Sequence, residues 1–226
     1  MQANPDKFQV LAVGKKTFDK NMKICIQNST LSCEETVKLL GIEIDYQLNF
    51  DIHISSICRK ASQQLNILKR LGRYLDRLSK LTIFHTFILS NFNFCPLAWH
   101  FCTDKNSKKF NSSYINLLVK ALVPSLQIRR IRTMALETYK IVNKLAPQCL
   151  HDLVNVKNSK YAFRYSNILD VPQVRTTRYG KKSFMFAAAT LWNDLPNHLR
   201  TENSFNHFKS LIQSWNGSVC RCSAWR

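Results

Sequence analysis

Three short runs of strand-forming residues crowd the first fifty positions, and no helical pattern among them offers cover. The runs are Phe8 to Val13, Lys23 to Gln27 and Val37 to Ile44. Three strands with nothing packed on them bury neither face well. The expectation is a small antiparallel sheet at the edge of a larger assembly. Turn-forming clusters separate the runs, from Gly14 to Asn21 and from Asn28 to Glu35. The third run contains Leu39-Leu40-Gly41. A glycine inside a strand weakens it, and marks a bulge or a close approach by another backbone.

At Asp51 the pattern turns helical. Asp51 can cap a helix that runs to about Tyr74. Ile54, Ile57, Ala61, Leu65, Leu68 and Leu71 recur every three or four residues and form one apolar stripe. Arg59, Lys60, Lys69, Arg70 and Arg73 fall largely outside it. A second helix is expected from about Ser79 toward Asn91, carrying Leu81, Phe84 and Ile88. Residues 51–80 hold seven basic and two acidic side chains. The pair reads as a helix hairpin with an apolar seam and a basic rim.

Residues 103–112 read as a polar loop, and Tyr114 to Leu122 as a short helix. A longer helix is expected from about Ser125 to Leu145, ended by Pro147. Ile128, Ile131, Ala135, Thr138, Val142 and Leu145 would line one face, with Arg129, Arg130, Arg132, Lys140 and Lys144 on the rest. Val171 to Val174 is a candidate strand broken by Pro172. Arg175, Arg178, Lys181 and Lys182 cluster beside Tyr179 and Gly180. Two last helices, Ser183 to Trp192 and Ser204 to Trp215, flank Asp194-Leu195-Pro196. The fold class read from this order is α+β, a small sheet followed by a mostly helical body. The divisions fall at 1–50, 51–102, 103–215 and a tail of 216–226.

Charge narrows the partners. The 33 Lys and Arg outnumber 14 Asp and Glu, for a net charge of +19. A field of that sign concentrates polyanions near the surface and speeds encounter with them. The longest apolar stretch, Thr82 to Phe101, is interrupted by His85, Asn91, Asn93 and Pro96, so it suits a buried helix better than a membrane span. No secretory signal is visible, and an intracellular location is expected. The eight cysteines contain no CxxC pair, and His198 and His207 stand too far apart to complete a zinc set, so no metal site is expected. No Gly-x-Ser-x-Gly, phosphate-binding glycine loop or adjacent aspartates occur. His85, His100 and His151 sit in apolar or helical contexts, where histidine is more often structural than catalytic.

Several segments are recognisable in order. Asn4-Pro5-Asp6-Lys7-Phe8-Gln9-Val10-Leu11 and Val37-Lys38-Leu39-Leu40-Gly41-Ile42-Glu43-Ile44-Asp45 resemble the end of the palm in reverse transcriptases of non-LTR retrotransposons. Leu48 to Ile54, Ala61 to Leu71 and Phe92 to His100 resemble the jockey and chicken-repeat-1 type elements. So do Arg129 to Tyr139, Arg178-Tyr179-Gly180 and Leu191-Trp192-Asn193-Asp194-Leu195-Pro196. Together they cover roughly residues 1–215.

The resemblance implies a right-hand polymerase fold. Lys7 would match the palm lysine that helps pyrophosphate leave, and Leu39, Leu40 and Gly41 the primer-grip turn. Residues 51–102 would be thumb, with Arg59, Lys60, Lys69, Arg70, Arg73, Arg77 and Lys80 facing an RNA–DNA hybrid or duplex. The family's Asp-Asp motif belongs upstream of Asn4, and its magnesium with it. The chain alone is therefore expected to carry no cofactor and not to polymerise. The stretch between Trp99 and Ser112 is shorter than in the family, as an internal deletion would leave it. Two other readings stay open: a non-enzymatic basic protein that binds RNA or DNA through its helices, and a remnant with no molecular function.

Overall fold

The structure, a computed structural model, describes residues 7–14, 19, 21–26, 29–102, 106, 124–157 and 167–215. It is mixed α+β, with two small antiparallel sheets and a larger share of helix. Two compact units emerge: Met1–Cys95 with Cys102–Tyr114, and Pro96–Phe101 with Ile115–Arg226.

The first unit begins with two hairpins rather than one three-stranded edge. β1 (Lys23–Ile26) pairs with β2 (Ser29–Ser32), and β3 (Thr36–Leu39) with β4 (Ile42–Asp45). Three sequence expectations are corrected here. Phe8 to Val13 is not a strand; it meets the sheet region through a bridge between Val10 and Cys33 and a hydrogen bond from Ala12 N–H to Cys33 Sγ. Cys33 sits between β2 and β3, which take their ladders from β1 and β4, so a further strand finds one pairing position. The expected turn cluster from Asn28 to Glu35 contains β2, because Thr30 and Leu31 find ladder partners in Cys25 and Ile24. The run from Val37 to Ile44 folds back on itself at Leu40 and Gly41 instead of continuing as a bulged strand.

The β3–β4 hairpin does not stay uncovered. α1 (Asp51–Leu71) packs on β4 and on the helical segment that follows it. Asp45 sets the entry: its Oδ1 accepts from the backbone N–H of Gln47 and Asn49 at 3.0 Å each, and its Oδ2 from Phe50 N–H at 2.6 Å. This clamp holds Leu48 and Phe50 at positive φ and puts Phe50, not Asp51, at the helix cap. Asp51 is the first helical residue and pairs with the Asn106 amide instead. Ile54, Ile57 and Ala61 are buried, Leu65 and Leu68 half-buried, and Leu71 is exposed. The stripe therefore runs out of cover toward its end, and the helix stops at Leu71, before Gly72, rather than at Tyr74.

The second helix starts earlier than expected. Asp76 caps α2 (Arg77–Ile83) by accepting from Leu78 and Ser79 N–H. A π-helical turn (Phe84–Ile88) leads on into α3 (Leu89–Asn93). The extra residue of the π turn lets Phe84, Ile88, Leu89 and Phe92 all be buried. The Asn91 amide donates to Gln64 Oε1 at 2.7 Å and ties α3 to α1.

The second unit is a helical cluster around aromatic rings. α4 (Leu126–Val142) is capped by Ser125, α5 (Phe184–Asp194) by Ser183 and α7 (Phe205–Ser214) by Ser204, each hydroxyl accepting a backbone N–H of the first turn. A short α6 (Asn197–Arg200) joins the last two. Tyr139 stacks on Phe208 with centroids 4.4 Å apart, and Trp192 lies 6.1 Å from Phe208.

α4 is corrected in its face and end. Ile131, Ala135 and Thr138 are buried as expected, but so are Leu126, Met134, Tyr139 and Ile141, because α5 and α7 both pack on it. A helix covered from two sides buries more than one stripe. Arg130 is also buried; its guanidinium lies 5.0 Å over the Trp99 ring and its Nε donates to Leu126 O. Arg132 donates through Nε and Nη2 to Trp215 O. The helix ends at Val142, with Lys144 at positive φ, while Pro147 opens a 3-10 turn at Gln148–Leu153. Val171 to Val174 is not a strand; an antiparallel bridge forms instead between Val156 and Leu169. Tyr114 to Leu122 lies outside the described residues, as do all of 107–123.

Candidate nucleic-acid interface

The geometry of the Leu39-Leu40-Gly41 segment follows from its register. Leu39 pairs with Ile42, so the loop is the two residues Leu40 and Gly41. Both have positive φ, +48° and +88°. Positive φ at both positions is the type I′ turn, whose twist matches that of the flanking strands. Such turns favour Asn-Gly. Glycine suits its place, and a Cβ on Gly41 would meet only the Phe94 ring, at 3.6 Å. Leucine does not suit its place: a branched side chain in the left-handed region is strained. Leu40 is nevertheless 86% exposed, and Leu39 60%. Two apolar side chains thus stand in solvent at a tip that local chemistry would fill with polar residues.

α1 and α2 carry the charge. Arg59, Lys60, Lys69, Arg70, Arg73 and Arg77 are exposed, and Lys80 is half-buried. Arg59 and Arg70 lie eleven residues apart, about three turns and roughly 16 Å along the axis. Ser55, Arg59, Ser62, Asn66 and Arg70 recur along this exposed side. Among the described residues none of the seven basic groups takes part in a salt bridge. The acidic residues of the helices do other work. Asp51 holds Asn106, and Asp76 caps α2, where the Ser79 hydrogen bonds keep its carboxyl below the usual range.

Lys7 is exposed, and the structure does not draw it to this surface through any hydrogen bond or salt bridge. By contrast, Gly41 of the turn and Lys60 of the helix line one cavity. Its other walls include residues that sequence reasoning missed: Lys38, Glu43, His53 and Phe94. One signal was available. His53 and Lys60 are spaced at i and i+7, which puts them on one helix face. What the sequence hid was that β3 and β4 fold back beside that face. His53 is buried, its Nδ1 accepts from Glu43 N–H at 3.4 Å, and burial lowers its pKa against the pull of the Glu43 carboxylate.

Other recognised segments prove to be architectural. In Leu191 to Pro196, Leu191, Trp192 and Leu195 are core. Asn193 brackets the Leu169 backbone, accepting its N–H at 2.9 Å and donating to its carbonyl at 2.8 Å. Pro196 opens α6. Gly180 packs so closely that a Cβ would stand 2.6 Å from the Val174 Cβ. His100 is buried beside Arg130, and desolvation, helped by that cation, depresses its pKa to about 3. Among the described residues no group of three His, Cys, Asp or Glu could hold a metal, and no helix is long and apolar enough to cross a membrane. Comparison with protein-family models, curated proteins and solved structures finds no match to this chain.

Proposed function

We propose that the first unit grips nucleic acid across the β3–β4 tip and the basic side of α1 and α2. The observation that carries this reading is the unpaired basic surface. Six Lys and Arg side chains lie on one helix pair and a seventh, Arg73, on its connection, without salt bridges among the described residues, and Lys60 lines a cavity with Gly41 of the exposed apolar turn. Cations on a helix side suit phosphates, which position a strand without reading its sequence. Apolar side chains at a rigid tip suit sugars and base faces.

The finer reading follows the resemblance. The β3–β4 turn acts as a primer grip and α1–α3 as a thumb, holding the template–primer hybrid of a non-LTR reverse transcriptase. Magnesium, which such enzymes use for RNA-templated DNA synthesis, has no matching donor set among the described residues. The role proposed for this chain is the grip, and by the resemblance purified chain with magnesium and a primed RNA template should incorporate no nucleotide.

Fluorescence anisotropy against salt tests the grip. The affinity for an RNA–DNA hybrid should fall linearly on logarithmic axes. Arg59→Gln and Arg70→Gln should each reduce the slope by about 0.9. A slope unchanged by both substitutions would remove the helix pair from the interface. Equal affinity for hybrid, plain duplex and single strands would reduce the reading to a basic RNA- or DNA-binding protein with no thumb role.

A further inference from the structure

Beside the hairpin turn the first unit holds a cavity of about 300 Å³, which phosphate gripping does not explain. Lys38 comes from β3, Glu43 from β4, His53 and Lys60 from α1, and Asn91 and Phe94 from α3 and its end. Lys38 and Glu43 are partners across the ladder.

Two atoms of the lining residues are buried with no hydrogen-bond partner: Glu43 Oε2 and His53 Nε2. Buried polar groups are nearly always satisfied, so each exception asks for a reason. Their chemistry is complementary. Because His53 Nδ1 accepts from Glu43 N–H, the neutral ring carries its proton on Nε2. The cavity therefore combines an N–H donor lacking an acceptor with a carboxylate lacking donors. A backbone phosphodiester has no hydrogen to give Glu43, and an ammonium group has no lone pair for His53. A ligand that answers both needs an acceptor beside N–H donors on one rigid edge.

Guanine has that edge. O6 is the acceptor, and N1–H and N2–H form a donor pair that a carboxylate receives with both oxygens. The other bases offer Glu43 one N–H-bearing position on the edge where they also offer His53 an acceptor. Lys38 and Lys60 supply cations for a phosphate, and the Phe94 ring an aromatic surface for the base. Both unsatisfied atoms are closed to water as they stand, so binding requires the Glu43 side chain to move aside. We infer that this cavity is a guanine-nucleotide site, with Glu43 accepting from N1–H and N2–H and His53 Nε2–H donating to O6. The guanine comes either from an unpaired position in a bound strand or from free nucleotide. The inference rests on the grip reading only for the first source.

Titration calorimetry of the full chain with GMP and AMP tests the free source. Anisotropy with a short oligouridine carrying one central guanosine or adenosine tests the strand source. Guanine should be preferred in at least one arm by about tenfold, the discrimination of one good bidentate pair. The arm that shows it identifies the source. Glu43→Gln should abolish the preference, and because the carboxylate makes no protein bond the variant should melt like the parent. Arg70→Gln should weaken both strands equally. Equal binding of guanine and adenine in both arms, or a preference that survives Glu43→Gln, overturns the site. Strand binding without preference, together with no GMP binding, removes the site and leaves the grip. GMP preference without strand binding removes the grip and leaves the site.

Discussion

Leu40→Asn should make the first unit more stable and the chain a poorer nucleic-acid ligand. Leu40 is held at φ +48° at the first central position of a type I′ turn. A non-glycine residue in the left-handed region costs roughly 1–2 kcal/mol, and asparagine relieves most of it. The loss from removing the leucine is small. Full burial of such a side chain is worth about 2 kcal/mol, and Leu40 is 86% exposed, which leaves a few tenths of a kcal/mol by the same scale. The net gain is about 1 kcal/mol, a rise in Tm of roughly 4 °C for a unit of this size. Hydrogen exchange of α1 amides and thermal circular dichroism read it. If a bound strand covers half of the Leu40 side chain, affinity falls by about 1 kcal/mol, near fivefold. A lower Tm would show that Leu40 is packed rather than strained. A higher Tm with unchanged affinity would show that the turn is structural and outside the interface.

Asp45→Ala should destabilise the first unit by about 2 kcal/mol in urea melts, since one carboxylate holds three backbone N–H groups of the β4–α1 connection. Gly180→Ala should cost the second unit about 1–3 kcal/mol, and the same substitution in a Val174→Gly background should cost little, because the 2.6 Å contact is with the Val174 Cβ, which alanine would keep. A cost that persists in the double variant would place its origin in the backbone. His100 gives the second unit a defined pH dependence. Its pKa is about 3 when folded, against 6.5 for the free side chain, so the unfolded state binds the proton first. Its contribution is fully present above pH 6.5 and fades as pH falls toward 3, by up to about 1.4 kcal/mol per unit. Tryptophan fluorescence isolates this, because Trp99, Trp192 and Trp215 lie in the second unit and the residues of the first include no tryptophan. His100→Leu should flatten the profile.

Much of this fold was legible in the residues, wherever local rules and tertiary packing agreed. Ser125, Ser183 and Ser204 precede apolar repeats, and each caps a helix. The exposed basic rim of α1 follows from the spacing of Ile54, Ile57 and Ala61, because a stripe that buries one side presents the other. Misreadings arose where a residue answers to a partner far along the chain. Thr30 became strand because β1 reached it. Arg130 went inside because Trp99 offers a ring to its charge. The candidate interface divides the same way. Sequence alone placed the charge largely outside the apolar stripe and flagged the Leu-Leu-Gly segment, since helical period and glycine chemistry act within a few residues. Only the tertiary structure closed that tip into a two-residue turn, laid β3 and β4 beside the His53–Lys60 face, and left Glu43 and His53 unsatisfied in a shared cavity. Pairing register and burial are decided between segments, and spacing along a single segment carries no record of them.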